Sequence, residues 1–275
     1  MNADRSWERN ILIQSAIPFG RHDMGSLEVS NSMLSWRQEN AALSRDDVHL
    51  LYSPLDLPTS RLKLLAATLS TDERSRAEAY YSDRERTRFI ACRGVLRTIL
   101  GHYSSVEPKV IRFHYGSRGK PSLAEEYGKN RIQFSIAHSG GLAVYAFTLG
   151  RNIGVDLERV VPFAEVIAFA DRFFSIRERS ALHALSGNEQ YETFFKIWTG
   201  KEAYLKACGE DLTCALNEID VALNRNKSSL VMTNGDARSD SPCTLTHFRL
   251  GSDFIVALVV EASNFHLTRW LWSIP

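Results

Sequence analysis

Apolar residues along this chain recur with two periods, and the places where the period changes divide it into elements. Stretches with a period of two, read as strands, cover residues 48–52, 111–115, 133–137, 142–149 and 153–158. More follow at 219–223, 229–232, 245–250, 254–260 and 268–272. Helical spacing covers 62–69, 166–174, 176–185 and 191–208. Ser70 with Asp72 and Glu73 predicts a helix N-terminus, and Ser82 predicts another, with Phe89, Val95, Leu96 and Ile99 on its apolar side and Gly101 as its stop. Gly116 to Pro121, Ser139-Gly140-Gly141, Asn234-Gly235 and Ser241-Pro242 mark turns.

Helices followed by a hairpin therefore occur twice, on either side of Arg151. The segment from His247 to Val256 loosely resembles a second copy of the hairpin that begins at Phe134. The fold class this predicts is α+β, in two halves at residues 45–150 and 151–275. Residues 1–44 show little periodicity and form an N-terminal extension of unknown role.

Composition narrows the function. A chain of 275 residues with 44% hydrophobic and 24% charged residues can build a real core. A formal net charge of +1 argues against a dedicated nucleic-acid binder. Local charge is less even, since Arg84, Arg86, Arg88, Arg93 and Arg97 crowd one predicted helix. Cys92, Cys208, Cys214 and Cys243 have no finger spacing and suit reduced thiols in a cytoplasmic protein. No apolar run approaches the roughly 20 residues of a membrane span, and no secretory signal is present, so a soluble protein is expected.

Two segments carry the candidate chemistry. In Ile153-Gly154-Val155-Asp156-Leu157-Glu158 the apolar residues face one way and both acids the other, with Gly154 leaving open space beside them. The two carboxylates begin about 7 Å apart and repel unless a cation lies between them. Such a pair suits magnesium, which binds one or two carboxylates plus phosphate oxygens; the plainer alternative is the solvent face of an amphipathic strand. In Trp198-Thr199-Gly200-Lys201-Glu202-Ala203-Tyr204-Leu205-Lys206, the residues Trp198, Glu202 and Lys206 form one helical stripe beside a core-facing stripe of Phe194, Ile197, Leu205 and Cys208. Lys201 falls on the apolar side, where a cation needs a partner such as an anionic ligand. Lys120 on a Gly-Lys-Pro turn, His138 beside turn amides, and Arg76 and Arg88 are candidate phosphate contacts. Each has a bland alternative as a solvated or structural side chain.

In order, Gly119-Lys120-Pro121, Phe134 to Ser139, Ile153 to Glu158, Arg172-Phe173-Phe174-Ser175 and Trp198 to Lys206 resemble the motifs of the surfactin-synthetase-type 4'-phosphopantetheinyl transferases. The resemblance covers residues 69–260. It implies a pseudo-symmetric monomer of two α+β halves, each a small, mainly antiparallel sheet with packed helices, and coenzyme A bound in the cleft between them. It implies transfer of the phosphopantetheine arm to a serine of an apo acyl or peptidyl carrier protein, with adenosine 3',5'-bisphosphate released. By position, Asp156, Glu158 and Glu202 would hold Mg²⁺, and Lys206 would contact the phosphates. His138 would meet the 3'-phosphate, while Lys120, Arg76 and Arg88 would line the coenzyme A site. Glu202 is the candidate general base, with Lys201 and Lys206 favouring its ionised form and meeting the leaving phosphate. Ala137 and Glu73 depart from the family, which has Ser and Lys at those places in many or some members. The alternatives are a magnesium-dependent hydrolase of coenzyme A or a related nucleotide, and a non-catalytic carrier-binding module.

Overall fold

The computed structural model describes residues 34–35, 42–116, 120–124, 126, 132–209, 216–224, 227–232 and 242–272. Gly119 of the Gly-Lys-Pro turn, the Asn234-Gly235 turn, Ser241 and Cys214 lie outside them.

The described residues form two compact units. Those of the N-terminal unit lie within Asn31–His114, Ser122–Gly150 and Phe265–Pro275; those of the C-terminal unit lie within Tyr115–Pro121 and Arg151–Asn264. The first contains β1 (Leu34–Ser35), β2 (Asp47–Pro54), α1 (Thr59–Ala66), α2 (Thr71–Glu78), α3 (Asp83–Ser104), β5 (Ile132–Ser139) and β6 (Leu142–Leu149). The short strands β3 (Phe113–Tyr115) and β4 (Pro121–Leu123) pair with each other. The second unit contains β7 (Ile153–Arg159), α4 (Val166–Phe173), α5 (Ile176–His183), α6 (Gly187–Cys208), the hairpin of β8 (Ile219–Asn224) and β9 (Lys227–Met232), and then β10 (Thr244–Leu250) and β11 (Phe254–Val260). The order strand, three helices, short pair, long hairpin therefore repeats; the period changes in the sequence predict the helices and long hairpin of each half, but not β4.

Both sheets bring the hairpin back onto the opening strand. β2 pairs antiparallel with β6 and β7 pairs antiparallel with β11, in sheet orders β5-β6-β2 and β10-β11-β7. Each core lies between sheet and helices. Leu51, Val95, Leu96, Ile99, Phe134 and Tyr145 pack together in one unit; Phe194, Ile197, Trp198, Leu205, Ile255 and Ala257 do so in the other. Trp198 stacks on Phe194 and meets Phe169 edge-on, so its part of the expected stripe is core.

Three expectations need correction. The last strand, β12 (His266–Leu271), does not extend the C-terminal half: it runs parallel to β2 in the N-terminal sheet, where Trp270 joins the core. The leader is not wholly separate, because Leu34 and Ser35 pair with Trp270 and Leu271. Gly101 does not stop its helix, which runs on to Ser104 and closes on Ser105 at φ 54°. A Cβ on Gly101 would lie 2.7 Å from the Val106 carbonyl oxygen, so glycine is needed here for the returning chain rather than for a cap.

The basic cluster on α3 is neutralised from within. Ser70 and Glu73 make a capping box at the start of α2, and Glu73 is fully buried against Arg93 (2.7 Å) and Arg97 (2.5 Å). Arg84 and Arg88 share Asp56, while Arg86 pairs with Asp83.

Candidate functional site

β7 is buried on both faces, not on one. Ile153, Val155 and Leu157 are inaccessible, and Asp156 and Glu158 are only 4% and 2% exposed. The open space expected beside Gly154 is filled by α6. A Cβ at Gly154 would stand 1.9 Å from the Ala203 carbonyl oxygen and 2.5 Å from the Ala207 amide nitrogen. Glycine thus lets the helix backbone lie directly on the strand. That contact brings α6 side chains over the acidic face of β7.

Lys206 extends its ammonium to Asp156 Oδ1 at 2.7 Å. Burial disfavours the charged lysine, but Asp156, Glu202 and Glu158 outweigh it, and the lysine holds its proton above the usual range. Glu202, 5% exposed, behaves oppositely. Burial first, then the neighbouring Asp156 charge, push its carboxyl up to about 8, against the opposing pull of Lys206. Two buried oxygens, Asp156 Oδ2 and Glu202 Oε1, have no hydrogen-bond partner among the described residues. Unpaired buried carboxylate oxygens are costly, and a hard divalent cation accepts such oxygens as ligands. As they stand, the three acids surround a lysine rather than a common point: among the described residues, no group of three His, Cys, Asp or Glu is close enough to hold a metal ion.

Lys201 departs from its expected role. Its side chain is inaccessible, and its ammonium meets Glu178 Oε2 (2.6 Å), the Leu216 carbonyl (2.8 Å) and the Ile219 carbonyl (2.6 Å) above the Phe174 ring. All three donors are engaged inside the unit, so the anticipated anionic partner is Glu178 and not a ligand. Glu178 forms a capping box with Ser175, whose hydroxyl also donates to Asp220 Oδ1 at 2.7 Å. The Ser-x-x-Glu spacing before α5 was the available signal for Glu178.

The remaining candidates are dispersed. Lys120 donates to the Ile153 carbonyl at 3.2 Å, and burial lowers its pKa to about 8 against the pull of Cys208. In the N-terminal unit, Arg88 grips Asp56 with two 2.6 Å bonds beside the Gly140–Gly141 turn, where Gly141 adopts φ 86°. A Cβ there would lie 2.6 Å from Arg88 Nη2. His138 is exposed on β5 just before that turn, and Arg76 is half-buried on α2. Arg88 is thus not a free clamp; a phosphate would have to share it with Asp56.

A buried cluster of acids and lysine, held where a helix crosses a strand, defines a protein equipped to manage concentrated negative charge. The family model described as "4'-phosphopantetheinyl transferase superfamily" matches residues 152–259, and "4'-phosphopantetheinyl transferase, N-terminal" matches residues 57–149. The chain is 44% identical over 194 residues to the 4'-phosphopantetheinyl transferase HetI of Nostoc sp., covering 70% of this chain and 81% of that protein. It is 24% identical over 219 residues to the 4'-phosphopantetheinyl transferase Sfp of Bacillus subtilis, covering 79% and 93%. The chain belongs to the 4'-phosphopantetheinyl transferase family, of the surfactin-synthetase type. Its activity is transfer of phosphopantetheine from coenzyme A to a carrier protein; nothing in these relatives favours the hydrolase alternative. No helix among the described residues is long and apolar enough to cross a membrane.

Proposed function

We propose that Asp156, Glu158 and Glu202, which stand around Lys206 and are not gathered at one point, would draw together on a magnesium ion bound to the pyrophosphate of coenzyme A, and that the acceptor is a serine hydroxyl of an apo acyl or peptidyl carrier protein. The observation that carries this reading is the pair of partnerless buried oxygens, Asp156 Oδ2 and Glu202 Oε1, reaching in from a strand and a helix. When bound, the ion would neutralise charge on the pyrophosphate and orient it. Lys206 sits among the same acids and supplies a fixed positive charge for the phosphate oxygens. Burial and Asp156 raise the Glu202 carboxyl to about 8, so it would accept the serine proton only once the ion and Lys206 hold it ionised. Positioning and charge placement do most of the work in phosphoryl transfer. The leaving group is adenosine 3',5'-bisphosphate.

Lys120, His138, Arg76 and Arg88 are proposed contacts of coenzyme A. The monomeric state and a cytoplasmic location belong to the same proposal. The test is incubation of a purified apo carrier with coenzyme A and Mg²⁺, followed by intact mass measurement. A gain of one phosphopantetheine that disappears with chelator and returns with Mg²⁺ is expected. Full labelling in excess chelator would overturn the metal assignment. Comparing several apo carriers in parallel would define the pathway served.

A further inference from the structure

One corner of the C-terminal unit holds two thiols that the transfer reaction does not use. α6 ends at Cys208, directly after Ala207, whose backbone overlies Gly154. Gly154 pairs with Val259, and Val259 with Leu245, so one row of the sheet leads from beneath the helix end to β10. Cys243 immediately precedes β10, two residues before Leu245, and its thiol lies within the electrostatic influence of Cys208. Cys208 and Cys243 accordingly pack against the same hydrophobic core, and neither is fully buried. Beyond the row, the Glu261 amide bonds to the Asn152 carbonyl and the Glu261 carboxylate receives the Asn152 amide, closing the sheet end beside Cys243.

The charges around the pair differ. Lys120 holds its ammonium on the Ile153 carbonyl and in the field of Cys208. A neighbouring cation favours the thiolate, the reactive form of cysteine. Cys243 faces the opposite influence: burial, then Cys208 and Glu261, push its thiol up to about 11. One thiol is placed to attack and the other to resolve.

We propose that Cys208 and Cys243 are a reversible redox pair, oxidised to a disulfide by a peroxide, that ties the end of α6 to the start of β10. The Cys208 thiolate attacks a peroxide oxygen, the O–O bond breaks, and hydroxide leaves to give a sulfenic acid on Cys208. The Cys243 sulfur then attacks that sulfur, the S–O bond breaks, and the thiol proton leaves with the hydroxyl as water. In sum, two thiols and one hydrogen peroxide give one disulfide and two waters. Lys206 is one residue before Ala207 on the tethered turn and Lys120 lies beside Cys208, so the bond would alter turnover. That second effect rests on the site assignment above; formation of the bond does not.

The experiment treats the full chain with hydrogen peroxide and maps peptides without reduction. A Cys208–Cys243 cross-link, removed by dithiothreitol, is expected. Oxidised protein should lose at least about half of its carrier-labelling rate and regain it on reduction, while Cys243→Ser should keep its starting rate and resist the loss. A crosslink from Cys208 to Cys214, over-oxidised single cysteines, or no cross-link would each overturn the pair. Should Cys243→Ser fold poorly, Cys243→Ala serves in the same assay. A cross-link with unchanged turnover would overturn only the effect on activity.

Discussion

The two units are built alike and differ where the chemistry is proposed to lie. Counting each hairpin from its start, Leu51 of β2 stands opposite Tyr145, the fourth residue of β6, and Asp156 of β7 stands opposite Ala257, the fourth of β11. By the same count Ser53 matches Glu158 and His49 matches Gly154. Both long helices have 22 residues, and the fifteenth in each is a buried cation on a capping-box glutamate: Arg97 on Glu73, and Lys201 on Glu178. The sixteenth is Thr98 in one and Glu202 in the other. Thr98 spends its hydroxyl on the Gly94 carbonyl, whereas Glu202 leaves an oxygen unpaired. The shared part holds the fold, and the unshared part is costly to it. A buried, mutually repelling acid pair is what a binding or catalytic role would maintain against stability.

The comparison breaks first at Glu202. Glu202→Gln should reduce the rate of carrier labelling by about 10²–10⁴-fold, while thermal unfolding stays level or moves upward as the repulsion with Asp156 is relieved. Thr98→Val in the other unit should leave the rate unchanged. Equal losses from both substitutions would show that the helices matter only as scaffold.

The buried cations come next. Lys201→Met leaves Glu178 charged and without its ammonium, which should cost about 3–5 kcal/mol of stability in denaturant unfolding. Arg97→Met should cost less, about 1–3 kcal/mol, because Arg93 still pairs with Glu73. A Lys201→Met protein of unchanged stability but without activity would restore Lys201 to the ligand contacts.

Much of this division was legible in the residues. Period changes located both hairpins and every long helix, because a buried face imposes its spacing on the chain. The carboxylates of β7 and the Glu202 stripe could be found because acids at strand and helix spacing stand out against apolar neighbours. Lys201 was misread because a sequence shows that a buried cation needs a partner but not which one; Glu178 lies 23 positions away and is found only by folding. The destination of β12 was hidden for a similar reason. A parallel strand needs no turn signal, so nothing local tells which sheet it joins. The crowding of arginines on α3 shows uneven local charge in the sequence but not its partners: Glu73, Asp56 and Asp83 take up those arginines through contacts that span up to 32 positions.

Gly154 separates the two units more finely. At the matching place in the N-terminal sheet, His49 has a ring that bonds the Tyr103 hydroxyl at 2.7 Å, so the helix there rides over a side chain. Gly154→Ala should force α6 away from β7 and separate Lys206 from Asp156. A displacement near 1 Å at a reacting group can cost about 10²-fold in rate, and labelling kinetics should show that loss mainly in kcat. Retention of full kcat would mean that the helix position is not critical.

The smallest effect is one the units share. His49 and His247 are both driven down to about 4 by burial, His49 against the pull of Asp47 and His247 while its Nε2 donates to the Lys196 carbonyl. In the unfolded chain each imidazole returns to about 6.5. Between those values the unfolded state binds more protons, so stability is full above pH 6.5 and falls as pH drops toward 4. Each histidine should contribute on the order of 2–3 kcal/mol to that fall. Unfolding midpoints measured from pH 7 to pH 4 should decline less steeply in His49→Gln and in His247→Gln, by similar amounts. A flattening confined to one variant would show that the two units, alike in their scaffold, diverge in how tightly that scaffold excludes a proton.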